Sequence, residues 1–168
     1  DSFIIPEGQE RYYSEKVVRL PCYQPNDRQR PRPQPMTRSQ VGLPEDAVVL
    51  CGFNQPFKIS AEVMDVWCDF LHRLPHAVLW LLQWNDEIPQ TLREEARKRG
   101  IDPARLVFAR RLPSDQHISR FALADLYIDT WPCNAHTTAS DALWAGLPVL
   151  TCAGRSFASV FPPASITT

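Results

Sequence analysis

Residues 126–151 read LYIDTWPCNAHTTASDALWAGLPVLT, and the order of parts in that stretch decides the fold. Leu126-Tyr127-Ile128 is a short apolar run that stops at Asp129, and Trp131-Pro132 breaks any regular pattern after it. A helix is expected to open near His136-Thr137-Thr138 and to carry Leu143 and Trp144 farther along. Gly146 stands where a chain leaving a helix turns left-handed, and Pro148 prevents continuation. Val149-Leu150-Thr151 is the next strand, so the stretch reads strand, loop, helix, strand.

The same rhythm runs upstream as far as residue 47. Residues 47–51 are apolar and β-branched enough for a buried strand, and Ser60 then caps a helix. The apolar positions of that helix, Val63, Trp67, Phe70, Leu71 and Leu74, recur at spacings of three and four. Ala77 to Leu82 is continuously apolar and of strand length. Residues 89–99 form an amphipathic helix with proline in its first turn and Gly100 beyond its end. Residues 106–108 are a third strand, and Ser114-Asp115 opens a helix through Phe121. Apolar strands separated by helices imply an α/β fold with a doubly wound, Rossmann-like parallel sheet and right-handed crossovers. Residues 45–159 form that lobe.

Residues 1–44 are rich in proline and poor in periodicity. Ser2 to Ile5 ahead of Pro6 suggests a short strand, and residues 12–21 a second semi-regular piece. Arg30-Pro31-Arg32-Pro33-Gln34-Pro35 excludes helix and central strand and should run extended over the surface as a linker.

Composition narrows the class. The 168 residues are one domain's worth of chain, and a net charge of -1 with no basic run among aromatics gives no indication of nucleic acid binding. The five cysteines, Cys22, Cys51, Cys68, Cys133 and Cys152, are dispersed without CxxC spacing, which argues for reduced thiols rather than a disulfide frame or zinc site. No apolar run approaches a membrane span and no secretory leader is visible, so a soluble, cytoplasmic domain is expected.

In a sheet of this kind ligands bind beyond the carboxyl ends of the strands. The residues there are Asn54, Gln55 and Lys58 after the first strand, and Gln83, Trp84 and Asn85 after the second. Arg110 and Arg111 follow the third, with His117 and Arg120 on the helix behind. Asp129, Asn134, His136, Thr137 and Thr138 follow the fourth. Polar groups gather on one edge. Thr137, Thr138 and Asp141 share one face near a helix start, where the first amides are unpaired and the peptide dipoles leave about half a positive charge. Such a place suits a diphosphate, with Asp141 set to accept from a ribose. Taken alone, the same residues read better as a plain cap by Thr137 or Thr138 with Asp141 favouring the positive end of the helix. Lys58 is one of three lysines and sits where strand passes to helix, able to place a point charge against a leaving group. A histidine at a helix start, as His117 is read, should stay neutral and could stack on a base.

The string CNAHTTASDALWAGLPVLT, residues 133–151, resembles the nucleotide-binding segment of the O-linked N-acetylglucosamine transferase and SPINDLY family, which has the pattern Cys-Asn-x-His-Thr-Thr-x-x-Asp-x-Leu-Trp-Ala-Gly-x-Pro. FNQPFK at 53–58 resembles the family's Phe-Asn-Gln-x-x-Lys, and the likeness extends from about Tyr13 to Ser159. The resemblance implies the second, donor-binding lobe of a two-lobe glycosyltransferase that moves N-acetylglucosamine from UDP-GlcNAc to protein Ser or Thr, with inversion and no metal or cofactor. By the same resemblance Gln55, Lys58, His136, Thr137 and Thr138 hold the diphosphate, while His117, Arg120 and Asp141 hold the nucleoside. Lys58 takes the catalytic role against the departing UDP. His136 favours the N-acetylglucosamine branch over the fucosyl-transferring SPINDLY branch. UDP-glucose or GDP-fucose as donor, and a non-catalytic nucleotide-binding module, are the alternatives.

Departures accompany the likeness. Ser114 stands where animal members carry a lysine, and Ala135 replaces a family glycine. Residues 160–168 do not continue the expected helix and read as an atypical, truncated or frame-shifted tail. The first catalytic lobe, with its base and acceptor contacts, and the tetratricopeptide repeats usual upstream are not in this sequence. The chain alone is expected to bind donor weakly and to catalyse nothing.

Overall fold

Ala77–Leu82 (β2) is apolar at every position, which suits only a strand covered on both faces, and it occupies the second place in a five-stranded parallel sheet. The computed structural model describes residues 2, 4–20, 29–154 and 159. The strands are Val48–Gly52 (β1), β2, Leu106–Ala109 (β3), Leu126–Ile128 (β4) and Val149–Leu150 (β5), in the order β3-β2-β1-β4-β5. The helices between them are Ala61–Arg73 (α1), Glu87–Lys98 (α2), Ser114–Arg120 (α3) and Thr137–Trp144 (α4). The expected doubly wound, Rossmann-like sheet is therefore what forms.

Side chains of successive strand residues point to opposite faces, and the two cores follow from that alternation. Leu50, Leu79, Leu81 and Leu106 pack with Trp67 and Leu71 of α1 and Leu92 of α2. Val49, Cys51, Val78, Trp80 and Tyr127 pack on the other face with Phe121, Ala139 and Ala142. Small residues on the inward side of α4 let that helix lie close to the sheet. Gly52 has a similar reason, since a Cβ there would stand 3.0 Å from the Trp67 ring.

The chain winds from β1 outward to β3, then crosses back and continues on the other side of β1 with β4 and β5. The order of strands reverses between β1 and β4, so their carboxyl ends diverge into a crevice. Ser60 caps α1 by accepting from Val63 N–H. At the other end of the lobe, Leu147 N–H reaches Ala142 C=O and Gly146 N–H reaches Leu143 C=O. With Gly146 at φ 83°, this is a Schellman close of α4.

Some boundaries differ from the sequence expectation. The second helix starts at Glu87, not Pro89, because the Asn85 side chain accepts from the amides of Glu87 and Ile88. The third helix ends at Arg120, and Phe121–Leu123 continues as a 3-10 turn. Of the proposed strand at residues 2–5, Ser2, Ile4 and Ile5 form turns and bends, and Phe3 lies outside the described residues. Residues 10–12 form a 3-10 turn, and 30–36 run without regular structure, as proline at alternate positions requires. Cys22 and the tail 160–168 also lie outside the described residues. Among those described, no helix is long and apolar enough to cross a membrane.

Candidate functional site

The crevice between β1 and β4 is held open by a buried carboxylate. Asp129 leaves the end of β4 only 4 % exposed. Its Oδ1 accepts from Asn54 Nδ2 at 3.0 Å, Thr130 N–H at 2.7 Å and Ala135 N–H at 2.8 Å, and its Oδ2 accepts from Thr151 Oγ1 at 2.7 Å. One side chain thus joins the exits of β1, β4 and β5. Asn134 adds bonds to Thr151 Oγ1 and the Cys152 carbonyl. Asn54, Asp129 and Asn134, which a count of polar groups at strand ends places among ligand contacts, are buried and bonded within the loop, with only Asn134 Oδ1 of their fully buried side-chain polar atoms lacking a partner among the described residues.

That loop delivers the start of α4. The first intrahelical bond runs from Ser140 N–H to His136 C=O at 3.0 Å, so the amides of Thr137, Thr138 and Ala139 precede it and face outward along the axis. His136 is the N-cap residue, Thr137 is exposed and Thr138 half-buried. Lys58 closes the 3-10 turn Pro56–Lys58 after β1, and its Nζ donates to Asn134 C=O at 2.9 Å. A cation from the β1 side is therefore tied to the approach to α4 across the place where strand order reverses.

A cleft of about 360 Å³ lies beside this seat, lined by Gln55, His117, Arg120 and Thr138 together with Phe53 and Ser114. Four of the eight predicted residues are thus brought into one cavity. Lys58, His136 and Thr137 stand at the entrance to α4 beside it. Asp141 is one turn farther along α4, where it pairs with Arg30 and does not line the cleft. Phe53, which sequence reasoning left unassigned, forms one wall. The available signal was its position just past a strand end.

The inner wall is a stack. The Phe53 ring lies 5.7 Å from the His117 ring at 26°. The Arg120 guanidinium lies 4.6 Å from the centre of the same Phe53 ring. Arg120 is 1 % exposed, donates to Arg110 C=O at 2.6 Å and bonds to His117 Nδ1. Its Nε has no hydrogen-bond partner among the described residues, and the ring face beneath it offsets part of that cost. Because arginine can only donate, His117 Nδ1 is the acceptor and Nε2 carries the proton.

Burial first, and the Arg120 charge second, hold the His117 pKa down to about 4. The helix position invoked from sequence is not the cause, since His117 is the fourth residue of α3. Burial likewise lowers Arg120 to about 10, which leaves it charged at neutral pH. The folded ring resists a proton that the unfolded ring accepts near 6.5, so stability is lost as pH falls from 6.5 toward 4. The loss should reach about 2 kcal/mol after discounting for the part of the ring that water reaches. Urea midpoints at pH 7 and pH 4.5 measure it, and His117→Asn should remove most of the difference.

Among the described residues no three His, Cys, Asp or Glu side chains are grouped as a metal's ligands would be. The cleft is lined by the Phe53 ring, the neutral His117 imidazole, the buried Arg120 and Thr138 of α4, and the tethered Lys58 stands beside it. Such a set accommodates a flat ring at one end and an anion at the other.

Comparison with known proteins gives a consistent answer. Residues 28–168 match the model of the family described as glycosyl transferase family 41. The chain is 39 % identical over 159 residues to the Arabidopsis thaliana probable UDP-N-acetylglucosamine--peptide N-acetylglucosaminyltransferase SEC, covering 90 % of this chain and 16 % of that protein. It is 41 % identical over 123 residues to the Caenorhabditis elegans UDP-N-acetylglucosamine--peptide N-acetylglucosaminyltransferase, covering 73 % of this chain and 11 % of that one. A solved structure of a mutant Thermobaculum terrenum O-GlcNAc transferase superimposes with a TM-score of 0.76 at 29 % identity, over 95 % of this chain and 30 % of that one. The chain thus spans a small part of the proteins it matches.

Proposed function

From the premise that this chain belongs to glycosyl transferase family 41, we propose that it is the donor-binding part of an enzyme that transfers N-acetylglucosamine from UDP-GlcNAc to Ser or Thr hydroxyls of proteins. One observation carries the reading. Lys58 is bonded across the β1/β4 crevice to the loop that leads into the first amides of α4, and the cleft beside it is lined by Phe53, His117 and Arg120.

In this reading the diphosphate lies on the amides of Thr137, Thr138 and Ala139, with the Lys58 ammonium, Gln55 and His136 around it. The base packs beside His117, whose neutral ring can stack without placing a charge against the base. Arg120 fixes that ring, and Asp141 accepts from the ribose. The acceptor oxygen attacks the anomeric carbon from the side opposite the diphosphate. The bond from that carbon to the diphosphate breaks, its electron pair passes to the phosphate oxygen, and the configuration inverts. Lys58 and the helix dipole stabilise the charge that develops on the departing UDP, without a metal. The hydroxyl proton leaves to a base outside the residues assigned here. The acceptor protein and the rest of the catalytic machinery are assigned to the longer architecture of the relatives, and this chain alone should show binding without transfer.

The donor assignment is supported by the relatives, since the SEC, Caenorhabditis and Giardia intestinalis proteins, at 39 %, 41 % and 29 % identity, all carry UDP-N-acetylglucosamine--peptide N-acetylglucosaminyltransferase in their names. Calorimetric competition tests it. UDP and UDP-GlcNAc should bind, and GDP should bind at least about tenfold more weakly. Equal affinity for GDP would reject the uridine reading. Transfer of sugar by this chain alone would reject the division of labour.

A further inference from the structure

Residues 30–36 have no regular secondary structure, yet they are pinned across two helices of the site. Gln34 N–H donates to Ser119 Oγ on α3 at 2.9 Å, and Trp144 Nε1 on α4 donates to Pro31 C=O at 2.8 Å. Proline at 31, 33 and 35 restricts φ along this strap, so less entropy is lost in ordering it. Arg30 lies at its head. The guanidinium sits 5.9 Å from the centre of the Trp144 ring, donates to Ser140 Oγ at 3.1 Å and pairs with Asp141 Oδ1. The two partners of the ion pair are 14 % and 17 % exposed.

We propose that Arg30 is a positioning residue of the nucleotide site, which holds Asp141 by one carboxylate oxygen so that the other accepts from a ribose hydroxyl. The inference rests on the nucleotide-sugar reading of the cleft. Thr138 lines that cleft, and Asp141 follows it by three residues, so both lie on one helix face. A carboxylate can accept about four hydrogen bonds, so the pair with Arg30 at Oδ1 does not exhaust what Asp141 can accept. Arg30 also offsets the negative charge that Asp141 would otherwise present one turn from a bound diphosphate. Arg30 is fixed through a ring, a hydroxyl and a carboxylate of one helix.

Titration of the full chain with UDP and with 2′,3′-dideoxy-UDP reads the ribose contact directly. The intact chain should prefer UDP about tenfold, the effect of one hydrogen bond to a charged acceptor. Arg30→Ala should reduce that preference to within about twofold, and Arg30→Lys should restore part of it. Asp141→Asn should lose it as Arg30→Ala does. A loosened variant loses both ligands alike, so a ratio left at the intact value in Arg30→Ala overturns the proposal. Tighter UDP binding by Arg30→Ala overturns it as well, because Arg30 would then obstruct the site. An intact chain that binds UDP through Lys58 while Arg30→Ala keeps the ratio loses this proposal and leaves the nucleotide reading standing. An intact chain that binds no UDP removes both.

Discussion

Lys58→Met should lower the affinity of the chain for UDP by about 10- to 100-fold, the equivalent of the roughly 1.5–3 kcal/mol carried by one charge-assisted hydrogen bond. Methionine retains most of the side-chain length and removes only the charge and its donors. The melting temperature should move little, because the bond from Lys58 Nζ to Asn134 C=O is a single half-buried contact. Affinity and stability therefore separate, and calorimetry beside a thermal melt measures both. In a longer protein able to transfer sugar, the loss should be larger in turnover than in donor affinity. The charge on the diphosphate grows as the glycosidic bond breaks, and removal of one preorganised donor of that kind costs about 10²–10³ in rate. Lys58→Arg tests the geometry, since a planar fork does not replace a point charge at a site built for an ammonium. Unchanged UDP affinity in Lys58→Met would sink the assignment of the diphosphate seat.

Asp129→Ala should destabilise the fold by about 3–5 kcal/mol, at the upper end for single substitutions. The carboxylate accepts four bonds at 4 % exposure, so its removal leaves Asn54 Nδ2, two buried amides and the Thr151 hydroxyl without their acceptor. Asp129→Asn should lose less than Ala, since the amide oxygen replaces one acceptor while its NH₂ opposes a donor. Urea unfolding followed by circular dichroism gives the free-energy difference. The variants should also bind UDP less well than their folded fraction predicts, because the same bonds set the loop that aims α4. A loss below about 1 kcal/mol in Asp129→Ala would show that the loop carries itself without this hub.

The fold was legible from residues 47–151 because each element declares itself locally. Continuous apolar runs at 77–82 and 106–108, helical spacing from Val63 to Leu71, and glycine or proline at the exits leave one α/β reading. Boundaries were less legible. Asn85 starts α2 two residues early through side-chain bonds that no propensity records. The strand proposed at residues 2–5 rested on apolar character alone, with no neighbouring strand to pair.

The site was legible as a set of residues and illegible as a set of roles. Strand-end position alone gathered Gln55, His117, Arg120 and Thr138, and all four line one cleft. The same rule gathered Asn54, Asp129 and Asn134, which the fold buries as scaffold. Nothing local distinguishes a polar side chain that faces a ligand from one that faces another loop. That distinction is made by which elements converge, and convergence is a long-range property.

The sequence by itself determined the alternation of strand and helix, the likeness to one glycosyltransferase family and the chemical types of group at the strand ends. These are short-range facts, written in periodicity, capping and turn residues. The tertiary structure alone decided that His117 stays neutral through burial and Arg120, that Asp129 ties three strand exits, and that Arg30 reaches Asp141. Each depends on residues distant in the chain meeting where water is scarce, and there desolvation and pairing fix the chemistry of a side chain.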